Sequence, residues 1–273
     1  MGEYVLGTHD VELQRLGVQH RIWGAQAHAA WERGKLGPGS KVLDVGCGPG
    51  WALLDMAEIV GPAGVAVGID ESERYIETLK ARAEARGLGQ LHARCADIHD
   101  LQAVAADFGP FDMVYVRWVL CFVRDPGAVV RAMAQCLRPG GRLVIHDYFN
   151  YACMTIAPRD PRFSAGIAAI ARSWVDHGGS PDVMEWSLKF AHDAGLVVRH
   201  FDVMQRIARP TDPAWAWPDL FWKSFIPRLV ESGHLSSEQQ REFFEAWHEA
   251  SESPIAFMHL PPVYEMVAER PAP

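Results

Sequence analysis

The sequence predicts an α/β protein with a doubly wound, mainly parallel sheet, on three observations. From Lys41 to His146, short β-branched runs alternate with longer stretches of helical spacing, the pattern of strands joined by right-handed crossovers. The run Val42-Leu43-Asp44-Val45 leads straight into Gly46-Cys47-Gly48-Pro49-Gly50 and then into a helical pattern. Sheets of this kind present such a loop to a ligand at the carboxyl ends of their strands. The composition, 49% hydrophobic and 22% charged over 273 residues, suits one elaborated α/β domain or two small ones. It excludes disordered, collagenous and coiled-coil chains.

Val11–Trp31 reads as one or two amphipathic helices ahead of the sheet. Lys41–Val45 is the first strand and Trp51–Val60 a helix. Val65–Asp70 is the second strand, followed by a charged helix from about Ser72 to Arg86. Gln90–Cys95 and Phe111–Arg117 are the third and fourth strands. Pro126–Leu137 is helical and stops at Arg138-Pro139-Gly140-Gly141, which cannot continue a helix. Arg142–His146 is the fifth strand, and no element is predicted between Tyr151 and Gly179. Ser180-Pro181-Asp182 opens a helix that ends at Gly195, with Leu196–Met204 the sixth strand. Two helical patterns follow, Pro213–Glu231 and Ser237–Ser251, the second preceded by Ser236 and Gln239 at capping-box spacing. Pro262–Glu269 is the last strand. The expected division is N-terminal cap helices over 1–36, a core over 37–205, a helical lid insertion over 206–258, and a final core strand and tail over 259–273.

A net charge of −8 with scattered basic residues leaves no basic face for a nucleic-acid backbone. Five cysteines sit singly, as expected of free thiols in a reducing cytoplasm. Met1–Leu6 carries neither the basic region nor the apolar run of a signal peptide. The most apolar stretch, Met113–Val123, is interrupted by Arg117 and falls short of the roughly 20 residues needed to span a bilayer. The expectation is a cytoplasmic protein that engages no membrane and no nucleic acid.

The glycine loop has two possible ligand classes. A dinucleotide fingerprint counted from Gly46 requires glycine at 51, where this chain has Trp51, and a bulky indole there disfavours NAD. The loop instead resembles the first motif of the class I S-adenosylmethionine-dependent methyltransferases, in their small-molecule branch. Four more stretches resemble that family in order and spacing: Gly68-Ile69-Asp70, Cys95-Ala96-Asp97-Ile98, Phe111–Tyr115 and Leu137–Leu143. The likeness is tight over about Gly37 to Asp147. It implies a Rossmann-like sheet of seven strands whose last, Pro262–Glu269, is antiparallel, with S-adenosyl-L-methionine as cofactor. It further implies that Gly46, Cys47, Gly48 and Gly50 lie along the cofactor, with Asp44 near its amino group. Asp70 would hold the ribose with Glu71 alongside, since one carboxylate accepts from two vicinal hydroxyls. Asp97 would meet the adenine amino group and Ile98 the ring. Tyr4, Gln19 and Arg117 complete the expected cofactor contacts, with Trp23 also close to the methionine end.

In this fold the methyl acceptor lies over strands four and five, beneath the least regular and here most aromatic segments. His20, Trp23, Trp118, Phe122, Phe149, His177, Trp217 and Phe221 are the candidates for its binding. Phe221/Phe225 and Phe243/Trp247 share helix faces at i,i+4 spacing. The same rings have two other uses, as glue between insertion and core or as the interface of a homodimer. His146, Asp147 and Tyr148, at the end of strand five, are the catalytic candidates, although His146 serves equally as a strand residue satisfied by a carbonyl. Many relatives carry a histidine after strand four where this chain has Cys121-Phe122. Relatives that hold a divalent metal carry a carboxylate immediately after strand four, where this chain has Arg117, and a cation there repels a metal, so none is expected. The expected function is in-line methyl transfer to a small hydrophobic or aromatic metabolite. The alternatives are cyclisation, rearrangement or decarboxylation on the same cofactor fold, or a non-catalytic binding protein.

Overall fold

The computed structural model describes residues 10–272. The main-sheet strands are β1 (Lys41–Val45), β2 (Val65–Asp70), β3 (Leu91–Cys95), β4 (Phe111–Arg117), β5 (Leu137–Tyr148), β6 (Val197–Met204) and β7 (Val263–Glu269). They pair in the order β3-β2-β1-β4-β5-β7-β6. β1 to β5 are parallel, and β7 runs antiparallel between β5 and β6. The helices are α1 (Asp10–Arg33), α2 (Trp51–Val60), α3 (Glu73–Ala85), α4 (Leu101–Phe108), α5 (Pro126–Cys136), α6 (Pro161–Asp176), α7 (Ser187–Asp193), α8 (Ala216–Glu231) and α9 (Ser237–Glu252).

The two-residue alternation of each strand sorts side chains between two helical layers. Val42, Met113 and Tyr115 point to the layer of α1, α2 and α3, whereas Leu43, Val114 and Val116 point to that of α4, α5 and α7. The second core does not stop at the sheet. It continues into α6, α8 and α9, where Phe163, Trp222 and Phe243 are fully buried against one another. Three short strands, Thr155–Ala157, Ile207–Ala208 and Phe257–His259, form a small antiparallel sheet that ties this helical layer down.

The structure departs from the sequence-based expectations at several points, the small three-stranded sheet among them. α4 and α6 are additional helices. α6 opens with Asp160 accepting from the Arg162 N–H at 2.8 Å and with Pro161 in its first turn, a standard start. The helix expected from Asp182 to Ala194 is a 3₁₀ turn, Val183–Trp186, followed by the short α7, because consecutive Val183 and Met184 both turn into the core. β5 begins at Leu137, not Arg142. Its Gly140 and Gly141 exchange backbone hydrogen bonds with Arg270, which keeps the Arg-Pro-Gly-Gly turn within the sheet. The helical layer draws on 151–180 as well as 206–258, so the expected boundary at 205 divides a single packed unit.

Candidate cofactor and acceptor cavity

One cavity of about 480 Å³ opens above the carboxyl ends of β1, β2 and β4. Its floor is the loop from Gly46 to Pro49. Gly48 has φ +54°, and a Cβ there would meet nothing within 4 Å, so the loop turns bare backbone towards open space. Asp70 holds the loop in place. It accepts from the Gly48 N–H at 2.8 Å and from the Ser72 N–H at 2.9 Å. Each carboxylate oxygen keeps a further lone pair, so the group can fasten the loop and still accept from a ligand's hydroxyls. Asp97 and Glu71 are exposed on the rim, and Ile98 is half-buried beside them.

Two charged groups of the wall are incompletely satisfied. Asp44 is buried, its Oδ2 has no partner, and burial pushes its carboxyl up to about 7 against the pull of Arg117. Arg117 has Nη1 unpartnered and lies 4.9 Å over the Trp118 ring. β1 and β4 are neighbours, with Val45 opposite Val116, so these opposite charges belong to adjacent strands. A buried polar atom without a partner costs free energy. A ligand carrying both an ammonium and a carboxylate would supply what each group lacks. The floor, the carboxylates and this pair therefore fit S-adenosyl-L-methionine.

The other half of the cavity is aromatic. Trp118 stacks near Tyr148 at 6.1 Å, Trp174 meets Tyr151 at 5.2 Å and Phe122 at 4.8 Å, and Trp217 lies 5.8 Å from Trp118. Phe221 and Met154 also line it. From α1, Gln19 reaches the cavity and accepts from Trp217 Nε1 at 2.8 Å and from Arg15 at 2.7 Å, which joins α1 to α8.

Asp44, Gly46, Cys47, Gly48, Asp70, Glu71, Asp97, Ile98, Arg117 and Gln19 thus line one cavity with Trp118, Phe122, Tyr148, Trp217 and Phe221. The remaining candidates require correction. His146 is 1% exposed and away from the cavity. It sits between the Tyr115 hydroxyl, 3.2 Å from Nδ1, and Glu265, 3.2 Å from Nε2, and burial holds its ring neutral. Asp147 is fully buried and accepts from the backbone N–H groups of Cys121 and Tyr148, clamping the turn after β4. Burial pushes the Tyr148 phenol well up, so this cavity-lining group keeps its proton at neutral pH and is no base. Gly50 lies below the floor, where a Cβ would come within 2.1 Å of Leu79. Trp23 is buried behind Trp118 and Trp217, Phe149 packs on Tyr264, and His177 is exposed at the end of α6. His20 bonds Asp55 and Arg117 and does not reach the cavity. Tyr4 lies outside the described residues.

Sequence reasoning missed Arg15, Met154 and Trp174 as wall residues, and Tyr151, which follows strand five among the aromatic residues, joins them there. Trp174 had a usable signal, because Phe163, Ile167, Ile170 and Trp174 recur at helical spacing after Asp160-Pro161.

A family model described as a methyltransferase domain matches residues 36–174, about half of the chain. The nocamycin O-methyltransferase of Saccharothrix syringae is 42% identical over 106 residues, 39% of this chain and 37% of the relative. The ubiquinone biosynthesis O-methyltransferase of a Caulobacter species is 36% identical over 124 residues, 44% of this chain and 47% of the relative. The chain spans between about a third and about a half of the length of the curated relatives it matches. The geranyl diphosphate C-methyltransferase of Streptomyces coelicolor superposes with a TM-score of 0.55 at 18% identity, covering 98% of this chain and 89% of that one, a likeness of fold. The glycine loop that floors the cavity lies within the matched region, and on that match the chain belongs to the methyltransferase-domain family, the class I S-adenosyl-L-methionine-dependent methyltransferases.

Proposed function

We propose that the protein transfers the methyl group of S-adenosyl-L-methionine to a small, flat, largely apolar acceptor. One observation carries this reading: a single cavity joins a polar half, built from the glycine loop, Asp70 and Asp97, to an aromatic half built from Trp118, Tyr148, Trp174 and Trp217. The O-methyltransferase relatives support the same class of chemistry.

When bound, the cofactor supplies an already activated methyl group. The chain then has to align the acceptor and keep water out, and alignment alone can provide much of the acceleration. The aromatic walls do both, giving a ring-shaped acceptor flat surfaces to stack on. Tyr148, still protonated, is a hydrogen-bond donor and can hold an oxygen of the acceptor. With His146 and Asp147 held away from the cavity, neither takes the acceptor's proton directly. This arrangement favours acceptors that are nucleophilic or already ionised near neutral pH.

The test is incubation with S-adenosyl-L-methionine and a panel of phenols, enols and quinols of graded acidity. S-adenosyl-L-homocysteine release is measured alongside product mass. Stoichiometric release with a mass gain of one methyl, strongest for the acidic hydroxyls, is the expected result. Binding of the cofactor without release across the panel would overturn the reading.

A further inference from the structure

His20 stands in a short chain of buried and half-buried polar groups that joins three elements. Its Nε2 lies 2.9 Å from Asp55 Oδ2 on α2, and its Nδ1 lies 3.1 Å from Arg117 Nη2 at the end of β4. A ring placed between a carboxylate and a guanidinium has one workable arrangement. The proton sits on Nε2 and is donated to Asp55, and the lone pair on Nδ1 accepts from Arg117. Arg117 is also fixed over the Trp118 and Tyr115 rings, at 4.9 and 5.9 Å, which leaves Nη1 unpartnered in the cavity wall beside Asp44.

We propose that His20 is a positioning residue, which in its neutral form aims Arg117 at the carboxylate of the cofactor's amino-acid end while Asp44 takes the ammonium. This rests on reading the cavity as the S-adenosyl-L-methionine site. The groups that face His20 are Asp55, Arg117 and, across Asp55 Oδ2 at 3.3 Å, His28. A second proton on His20 would put an N–H against the guanidinium and push Arg117 out of line. Burial chiefly, with help from Arg117, holds the ring below its ordinary value despite Asp55, so it is neutral at physiological pH.

The experiment compares two thioethers by calorimetry: S-adenosyl-L-homocysteine and 5′-deoxy-5′-methylthioadenosine, which lacks the amino-acid end. His20→Leu is expected to lower affinity for the first about tenfold and leave the second unchanged. In His20→Asn the amide oxygen stands where Nδ1 accepted, so affinity for S-adenosyl-L-homocysteine is expected to return. Between about pH 5 and pH 8 its acid-side loss should be smaller than that of the wild type. Asp44 contributes equally to both profiles, so their difference reports His20. An equal loss of both thioethers in His20→Leu, unchanged affinity for both, or identical pH profiles for His20→Asn and wild type would overturn the proposal. Failure of the wild type to bind either thioether would overturn the cofactor reading itself, and the proposal with it.

Discussion

At the scale of single residues, Asp44 shows stability and binding in opposition. Its carboxyl ordinarily titrates near 4, and burial without a partner for Oδ2 moves it to about 7. Between those values the folded chain retains a proton that the unfolded chain has released, so stability falls as pH rises through the window. Above it the full penalty applies, on the order of 4 kcal/mol. Asp44→Asn is therefore expected to raise Tm above about pH 7, to leave it nearly unchanged near pH 4, and to weaken S-adenosyl-L-homocysteine binding. Thermal melts at the two pH values, with calorimetry at the higher one, check this; an equal Tm gain at both would show that charge burial is not the cause. Asp70→Ala should weaken the same ligand by about 1.5–3 kcal/mol, because it removes an acceptor and releases the Gly48 and Ser72 N–H groups together. Wild-type affinity in that variant would place the ribose elsewhere. The floor of the cavity was legible in the sequence because backbone geometry demands particular residues there. The candidate base was not, because strand alternation says only that His146 and Asp147 face opposite ways. It does not say that Glu265, 119 positions along the chain from His146, claims that ring.

At the scale of elements, two glycines of one loop do different work. Gly48 has open space where a side chain would go, whereas a Cβ on Gly50, the residue that opens α2, would press into buried Leu79 of α3. Gly48→Val is expected to fold, at a backbone cost of about 1–2 kcal/mol for its positive φ, and to lose cofactor binding by filling the cavity. Gly50→Val should instead lose most of its folded population. Urea melts and calorimetry on the pair separate the two roles, and retained affinity in folded Gly48→Val would contradict the placement of the ligand. α9 offers a control far from the chemistry. Ser236 accepts from the Gln239 N–H at 3.1 Å and Gln239 returns the bond at 2.8 Å, the capping box anticipated from spacing alone. Ser236→Ala should cost about 1 kcal/mol in urea unfolding and leave cofactor affinity unchanged. Elements with end signals and clean periodicity were readable to within a residue or two. The turn at Val183–Trp186 was not, since burial of neighbouring side chains overrides helical spacing there.

At the scale of the whole molecule, the sheet and the helical layer above it share one apolar core. Trp222 of α8 is 0% exposed among Phe163, Phe243 and Trp247 of α6 and α9. Trp222→Ala is expected to cost about 3–5 kcal/mol, with unfolding still a single transition when followed by tryptophan fluorescence and by far-ultraviolet circular dichroism. Two separated transitions would mean that the layer unfolds independently. The succession of the first five strands along the chain was legible in local sequence, because each is a short β-branched run set off by stretches of helical spacing. The extent of the helical layer was not, because the small sheet gathers residues 155–157, 207–208 and 257–259 from three distant stretches.

β7 lies in the interior of the sheet although it comes after every other strand of that sheet in the chain. On a translating ribosome, β1 to β5 can find their neighbours as they emerge, but β6 has nothing to pair with until residues 263–269 leave the exit tunnel. Until then the edge of β5 that β7 will cover stands open and β6 is unpaired, a state in which chains stick to one another. A nascent polypeptide stalled just short of that strand should therefore be held by chaperones far longer than one stalled just beyond it.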